Sequence, residues 1–373
     1  MQHTRTHRMK AAAAAALVAL LPVSAAPSAL AQPAEQPIEQ SAGQAANGQS
    51  EIFFEGQFSE QVESLDLGWR DLIAGHDNVE EVWASAPAMD RGVPLVWIRP
   101  EGAERTAPRP TLYVLNGADG GEGVASWLYQ TNIIEFFSDK DVNVVIVQAG
   151  AFSYYTDWVS SDTQFGAQMW ETFLTRELPG PLEAEIGGNG KRGIIGMSMS
   201  ATSVLNFAQH NPGLYDGVGS FSGCANVADE AGALAVQTVL DRANVSAEQM
   251  WGPRPGELWN YNDSLINAEN LINQPMFISN GTGLWGEWDT TANPTVDQEA
   301  QLIAQRTTGS AIEGVTNMCT QTFKARMDSL GATDIHWDLN NSGTHSWGYW
   351  QDDLYESWDV LFSDVLFPDD LDD

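Results

Sequence analysis

The stretch 193–213, GIIGMSMSATSVLNFAQHNPG, decides the fold. It reads as a short buried strand (Gly193–Ile195), a tight turn and a helix (Ala201–His210). At the turn stands Gly196-Met197-Ser198-Met199-Ser200, which is the Gly-x-Ser-x-Gly of a nucleophile elbow with serine in place of the second glycine. A turn of that kind lifts the serine oxygen clear of the sheet, and it needs small neighbours because strand and helix backbones pass close together. Ser198 is the candidate nucleophile, and Ser200 reads as a tolerated small residue. The pentapeptide alone is equally compatible with an ordinary serine between strand and helix, so its partners decide.

Outward from this unit, short apolar runs alternate with amphipathic stretches. Val79–Ala86 and Gly92–Arg99 read as a hairpin; Thr111–Leu115, Val142–Gln148, Gly217–Phe221, Met276–Ser279 and Ile335–Leu339 read as strands. Ser126–Ser138, Met169–Ile186, Val296–Thr307 and Thr316–Leu330 carry helical patterns. Strand–helix alternation implies an α/β fold, a mostly parallel central sheet flanked by helices on both faces. One domain over 51–367 is the economical reading.

The ends read differently. Arg5, Arg8 and Lys10 precede the apolar run AAAAAALVALLPVSAA, and Ala29-Leu30-Ala31 is an A-x-A site. Residues 1–31 are expected to be a cleavable signal peptide, too short and too broken by Pro22 for a membrane span. The Pro-, Gln- and Ala-rich segment 32–50 is expected to be a disordered linker, and 368–373 an acidic tail. Acids outnumber bases 50 to 17, a formal net charge of −33. Such a surface disfavours nucleic acid and anionic lipid headgroups as partners. In an exported chain, the two cysteines, Cys224 and Cys319, are expected to form one disulfide.

A nucleophilic serine needs a base. Of the histidines beyond the leader, His210 ends the elbow helix, where a capping role is expected; His336 lies in a strand pattern and His76 precedes the main strands. His345, in the Gly/Asn-rich loop NNSGTHSWGYW after the last strand, stands where the base of a Ser…acid…His order falls. The acid belongs between them; Glu287, Asp289 and Glu313 compete, and the position just after the penultimate strand favours Glu287 or Asp289. Oxyanion donors are expected from the Met199 amide and from the glycine-rich loop VLNGADGGEG near Ala118. No metal-ligand spacing and no dinucleotide fingerprint occurs, so no cofactor is expected.

WETFLTRELP (170–179), IGMSMSATS (195–203), MWGP (250–253), IEGVTNMCTQTF (312–323) and NSGTHSWGYW (341–350) resemble, in order, the secreted mycolyltransferases of mycolic-acid bacteria, the antigen 85 family. The LNGADGGEG loop and the cysteine pair look closer to the corynebacterial branch than to the mycobacterial one. The resemblance implies an α/β-hydrolase fold, a triad of Ser198, Glu313 and His345, and oxyanion donors at Ala118 and Met199. It places sugar contacts at Asn116, Asp119, Gln130 and Trp347. At three of these the chain departs from the mycobacterial pattern, which has Asp at 116, Arg at 119 and Asn at 130. Losing the arginine fork removes five donors for sugar hydroxyls.

What the resemblance implies chemically is ping-pong transfer of a mycolyl (corynomycolyl) group from trehalose monomycolate. The acceptor is a second trehalose monomycolate, giving trehalose dimycolate, or cell-wall arabinogalactan. A monomer, exported to the cell envelope, is expected. The alternatives are a secreted serine esterase and a matrix- or wall-binding protein on the same fold.

Overall fold

The computed structural model of the 373-residue chain describes residues 48–292 and 299–368. The expected leader, nearly all of the linker, the start of the Val296–Thr307 helix and the acidic tail beyond 368 lie outside the described residues.

Among the described residues nine strands form one sheet: β1 Ile52–Phe54, β2 Val79–Ala86, β3 Arg91–Ile98, β4 Arg109–Leu115, β5 Asn143–Val147, β6 Gly188–Met197, β7 Gly217–Phe221, β8 Met276–Asn280 and β9 Ile335–Leu339. Their order is β1-β2-β3-β5-β4-β6-β7-β8-β9. The first three are antiparallel, and β5 through β9 are parallel. The α/β expectation holds, because runs such as NVVIV are buried on both faces and only a sheet covered twice can use them. Alternation along β4 shows the two faces: Leu112 and Val114 join one core cluster, Tyr113 and Leu115 the other.

Glycines in the central strands answer to one aromatic side chain. A Cβ on Gly193 or Gly217 would approach Phe362 to 2.9 or 3.1 Å, so the ring packs against strand backbone where side chains are missing. Phe362 itself is fully buried.

Two helical expectations are modified. The 126–138 stretch breaks into Trp127–Gln130 and Ile133–Phe137, because Thr131 is extended. The 169–186 stretch runs through a wider π segment, Phe173–Glu177, before Pro179–Ile186. Leu178 N–H there bonds back to Phe173 O at 2.9 Å, while Pro179 has no N–H to offer the ladder. The helices Glu230–Asp241 and Trp347–Ser357 were not expected.

Candidate active site

Ser198 sits between the end of β6 and the helix Met199–His210, with φ 56° and ψ −118°. A non-glycine residue in that region stores strain of about 1–3 kcal/mol. The surroundings hold it there. Ser198 N–H donates to Phe221 O at the end of β7 (2.8 Å), and Gly196 can carry no side chain because a Cβ would lie 2.4 Å from Ser200 O. Ser200 is more than a tolerated small residue. Its buried hydroxyl accepts from Met197 N–H at 2.9 Å and lies within reach of the Met197 and Leu115 carbonyls, at 3.0 and 3.3 Å. It braces the turn where the expected glycine would leave those groups to each other.

His345 Nε2 lies 2.7 Å from Ser198 Oγ, and its Nδ1 lies 2.8 Å from Glu313 Oε2. With Nδ1–H donating to the carboxylate, Nε2 is left as the acceptor for the serine hydroxyl. Glu313 is 1% exposed, and its other oxygen accepts from Ser222 Oγ (2.9 Å), Asn280 Nδ2 (2.7 Å) and Gly281 N–H (2.7 Å). Asn280 is itself oriented by the Thr320 hydroxyl at 2.8 Å. Trp350 donates to Ser222 Oγ at 3.0 Å and packs edge-on to the His345 ring with centroids 4.8 Å apart. Ser222 and Asn280 escaped the sequence reading. The signal was there, since both are polar residues at the carboxyl ends of apolar parallel strands, where sites of α/β sheets gather.

The rival acids do not reach the base. Glu287 is exposed, and Asp289 is buried with its carboxylate bonded to Thr344, Tyr349, Gln305 and Gly286. His210 does not cap its helix; it lies 2.9 Å from Glu171 and 2.8 Å from Tyr261 O and stacks on the Tyr261 ring. His336 faces Glu356 and stacks on Phe277.

The glycine-rich loop runs against the serine: a Cβ on Gly117 would lie 3.7 Å from Ser198 Cβ. Ala118 follows, its carbonyl taken by Phe152 N–H at 2.8 Å. The Ala118 and Met199 amides donate to no other group among the described residues. Of the four expected sugar-contact positions, Asn116 is fully buried. Its amide donates to Val147 O (2.7 Å) and accepts from Trp127 N–H (3.0 Å), so it anchors the loop from below and presents nothing to a ligand. Gln130 is half-buried and donates to Val124 O at 2.8 Å. Trp347 is half-buried against Trp127 and Trp350. Asp119, half-buried on the loop, accepts from Gly121 N–H, and burial pushes its carboxyl above the usual range. Arg242, unforeseen from sequence, holds its guanidinium 5.3 Å from the centroid of the Phe152 ring, whose residue bonds to Ala118. The Arg242 charge works against that rise.

The disulfide forms as expected, joining Cys224, just past β7, to Cys319, six residues after Glu313 on the helix Ser310–Leu330. Its sequence separation is 95 residues. In the chain-entropy picture a loop of that size contributes about 4–5 kcal/mol. Reduction, or Cys224→Ser with Cys319→Ser, should lower the urea midpoint accordingly. It should also lower kcat in protein that remains folded, because the acid's helix loses its covalent tie to the strand end behind Ser222. Unchanged kcat with both thiols titrated as free would show that Asn280 and Thr320 hold the helix unaided.

No group of His, Cys, Asp and Glu among the described residues is arranged to hold a metal ion, and no helix among them is long and apolar enough to cross a membrane.

The family model Esterase ("Putative esterase") matches residues 86–358. The diacylglycerol acyltransferase/mycolyltransferase Ag85A of Mycobacterium tuberculosis (strain ATCC 25618 / H37Rv) is 29% identical over 278 residues, covering 73% of this chain and 77% of that protein. The MPT51/MPB51 antigen of Mycobacterium bovis is 27% identical over 278 residues, 74% of this chain and 84% of its own. In structure, the chain is similar to Mycobacterium tuberculosis MPT51 (FbpC1), with TM-score 0.61 and 23% identity over 75% of this chain and 96% of that one. These relatives are mycobacterial. They correct the corynebacterial placement, which rested on one loop and one cysteine pair, whereas the mycobacterial likeness extends over most of the chain.

Proposed function

The chain belongs to the Esterase family as an antigen-85-like α/β hydrolase, and from that premise we propose that it is an exported serine acyltransferase moving a mycolyl group between sugar hydroxyls. The observation that carries the reading is the Ser198–His345–Glu313 relay, with both links between 2.7 and 2.8 Å, on a strained elbow. Ser198 Oγ attacks the ester carbonyl of trehalose monomycolate as its proton passes to His345 Nε2. The oxyanion is held by the Ala118 and Met199 amides. Collapse breaks the ester bond, and the leaving sugar oxygen takes the proton from His345. An acceptor hydroxyl, on trehalose monomycolate or arabinogalactan, then gives its proton to His345 and attacks the acyl-serine, which restores Ser198.

Transfer requires the sugar to compete with water. Asp119 on the Ala118 loop, and Arg242, which packs on Phe152 beside that loop and attracts the Asp119 carboxylate, supply an acceptor and a donor fork suited to vicinal hydroxyls. The half-buried Trp347, packed on Trp350 beside His345, offers an apolar face. In this reading Arg242 provides from another element the guanidinium that position 119 lacks.

Incubation with trehalose monomycolate should yield trehalose dimycolate and trehalose in equal amounts. Free mycolate alone would establish the simpler serine esterase. Arg242→Ala should raise KM for the sugar acceptor about tenfold or more, the loss of a charged hydrogen bond, while hydrolysis of p-nitrophenyl butyrate stays as in the wild type.

A further inference from the structure

Asp289 stood out in the sequence as a rival acid, and the relay does not use it. Its surroundings are those of a hub. The residue is 1% exposed, and its carboxylate accepts four hydrogen bonds from three segments of the chain. Oδ1 takes the Thr344 hydroxyl at 2.6 Å and Gln305 Nε2 at 2.8 Å. Oδ2 takes the Tyr349 hydroxyl at 2.7 Å and Gly286 N–H at 2.8 Å. Its own carbonyl accepts from the Arg306 guanidinium.

These partners surround the base. Thr344 is the residue before His345, and Tyr349 lies one turn along the helix that follows it. Gln305 and Arg306 belong to the π segment Gln305–Gly309, which runs directly into the helix carrying Glu313. Backbone bonds close the same seam: Gly283 N–H to Gly343 O (2.8 Å), Gly343 N–H to Leu284 O (2.7 Å) and His345 N–H to Gly309 O (3.3 Å). One saturated carboxylate thus joins the loop of the base, the run leading to the acid and the β8 loop beneath both. Four donors converge on it with no donor of its own to oppose them, which an amide could not match.

We propose that Asp289 is a positioning residue, setting the place of His345 between Ser198 and Glu313 through the Thr344 hydroxyl. The proposal rests on the reading of Ser198 and His345 as nucleophile and base. A displacement of the base by about 1 Å costs on the order of 100-fold in rate, so the hydroxyl should be felt in kcat and hardly at all in ester binding.

The test uses the full chain and hydrolysis of p-nitrophenyl butyrate, with rates expressed per serine titrated by a fluorophosphonate. Thr344→Val should lower kcat about 10- to 100-fold with KM within about twofold of wild type, and Thr344→Ser should return kcat to within about threefold. Asp289→Asn should fall in the same direction and further; if it does not fold, the Thr344 pair carries the test alone. A Thr344→Val protein with wild-type kcat per titrated site and only a lower Tm would overturn the proposal, as would a Thr344→Ser protein as slow as Thr344→Val. Wild-type protein that neither labels nor turns over would remove the underlying reading, and the proposal with it.

Discussion

Ser198→Ala is expected to abolish acyl transfer, with kcat down on the order of 10⁶-fold and covalent labelling by a fluorophosphonate lost. The size of the effect follows from the geometry. Among the described residues only this hydroxyl bonds His345 Nε2, at 2.7 Å, and neighbouring Ser200 is turned inward onto the backbone of Met197. Folding should survive. The positive φ of 56° is imposed by the strand and helix around it, and alanine tolerates it no better and little worse than serine. Ser198→Gly, which relieves that strain, should be equally inactive yet unfold at a higher urea concentration than Ser198→Ala. Mass spectrometry of the phosphonate adduct checks the first claim, and urea melts check the second. An adduct on any other serine would displace Ser198 from its role.

Glu313→Gln is expected to lower kcat about 10⁴-fold, through the tautomer of the base. Oε1 of Glu313 already receives three donors, so the one oxygen of glutamine is claimed by Ser222, Asn280 and Gly281. The amide nitrogen is then left facing His345 Nδ1. A donor there favours the imidazole form with its proton on Nε2, which cannot accept the hydroxyl of Ser198. KM should change little, since no substrate group touches this buried side chain in the proposed reaction. Steady-state kinetics on p-nitrophenyl butyrate, with thermal melts alongside, provide the measurement. A Glu313→Gln enzyme within tenfold of wild type would return the acid's role to another carboxylate.

The middle of the sheet was legible because strands such as β4 and β5 are largely apolar runs buried on both faces, a pattern few other elements share. The range of β7 matched residue for residue, and the elbow followed from small residues set between strand and helix. The acid was not legible from residues alone. Which carboxylate meets His345 depends on where the helix Ser310–Leu330 crosses the end of β8, and no local pattern records that crossing; Glu313 came from the family resemblance. Asn116 misled. The family resemblance set it at a sugar contact, whereas its buried side chain ties the loop to Val147 and Trp127. Arg242 gave no sign, being one residue past a helix on a different part of the chain.

Ser198 and His345 stand 147 residues apart in sequence yet share one hydrogen bond. In the proposed mechanism a growing chain holds its nucleophile long before it has the base, and Glu313 arrives between the two. Reactivity is therefore a property of the finished polypeptide. On the proposed mechanism, any fragment that stops short of His345 carries an inert serine, and acyl transfer waits until His345 has been made.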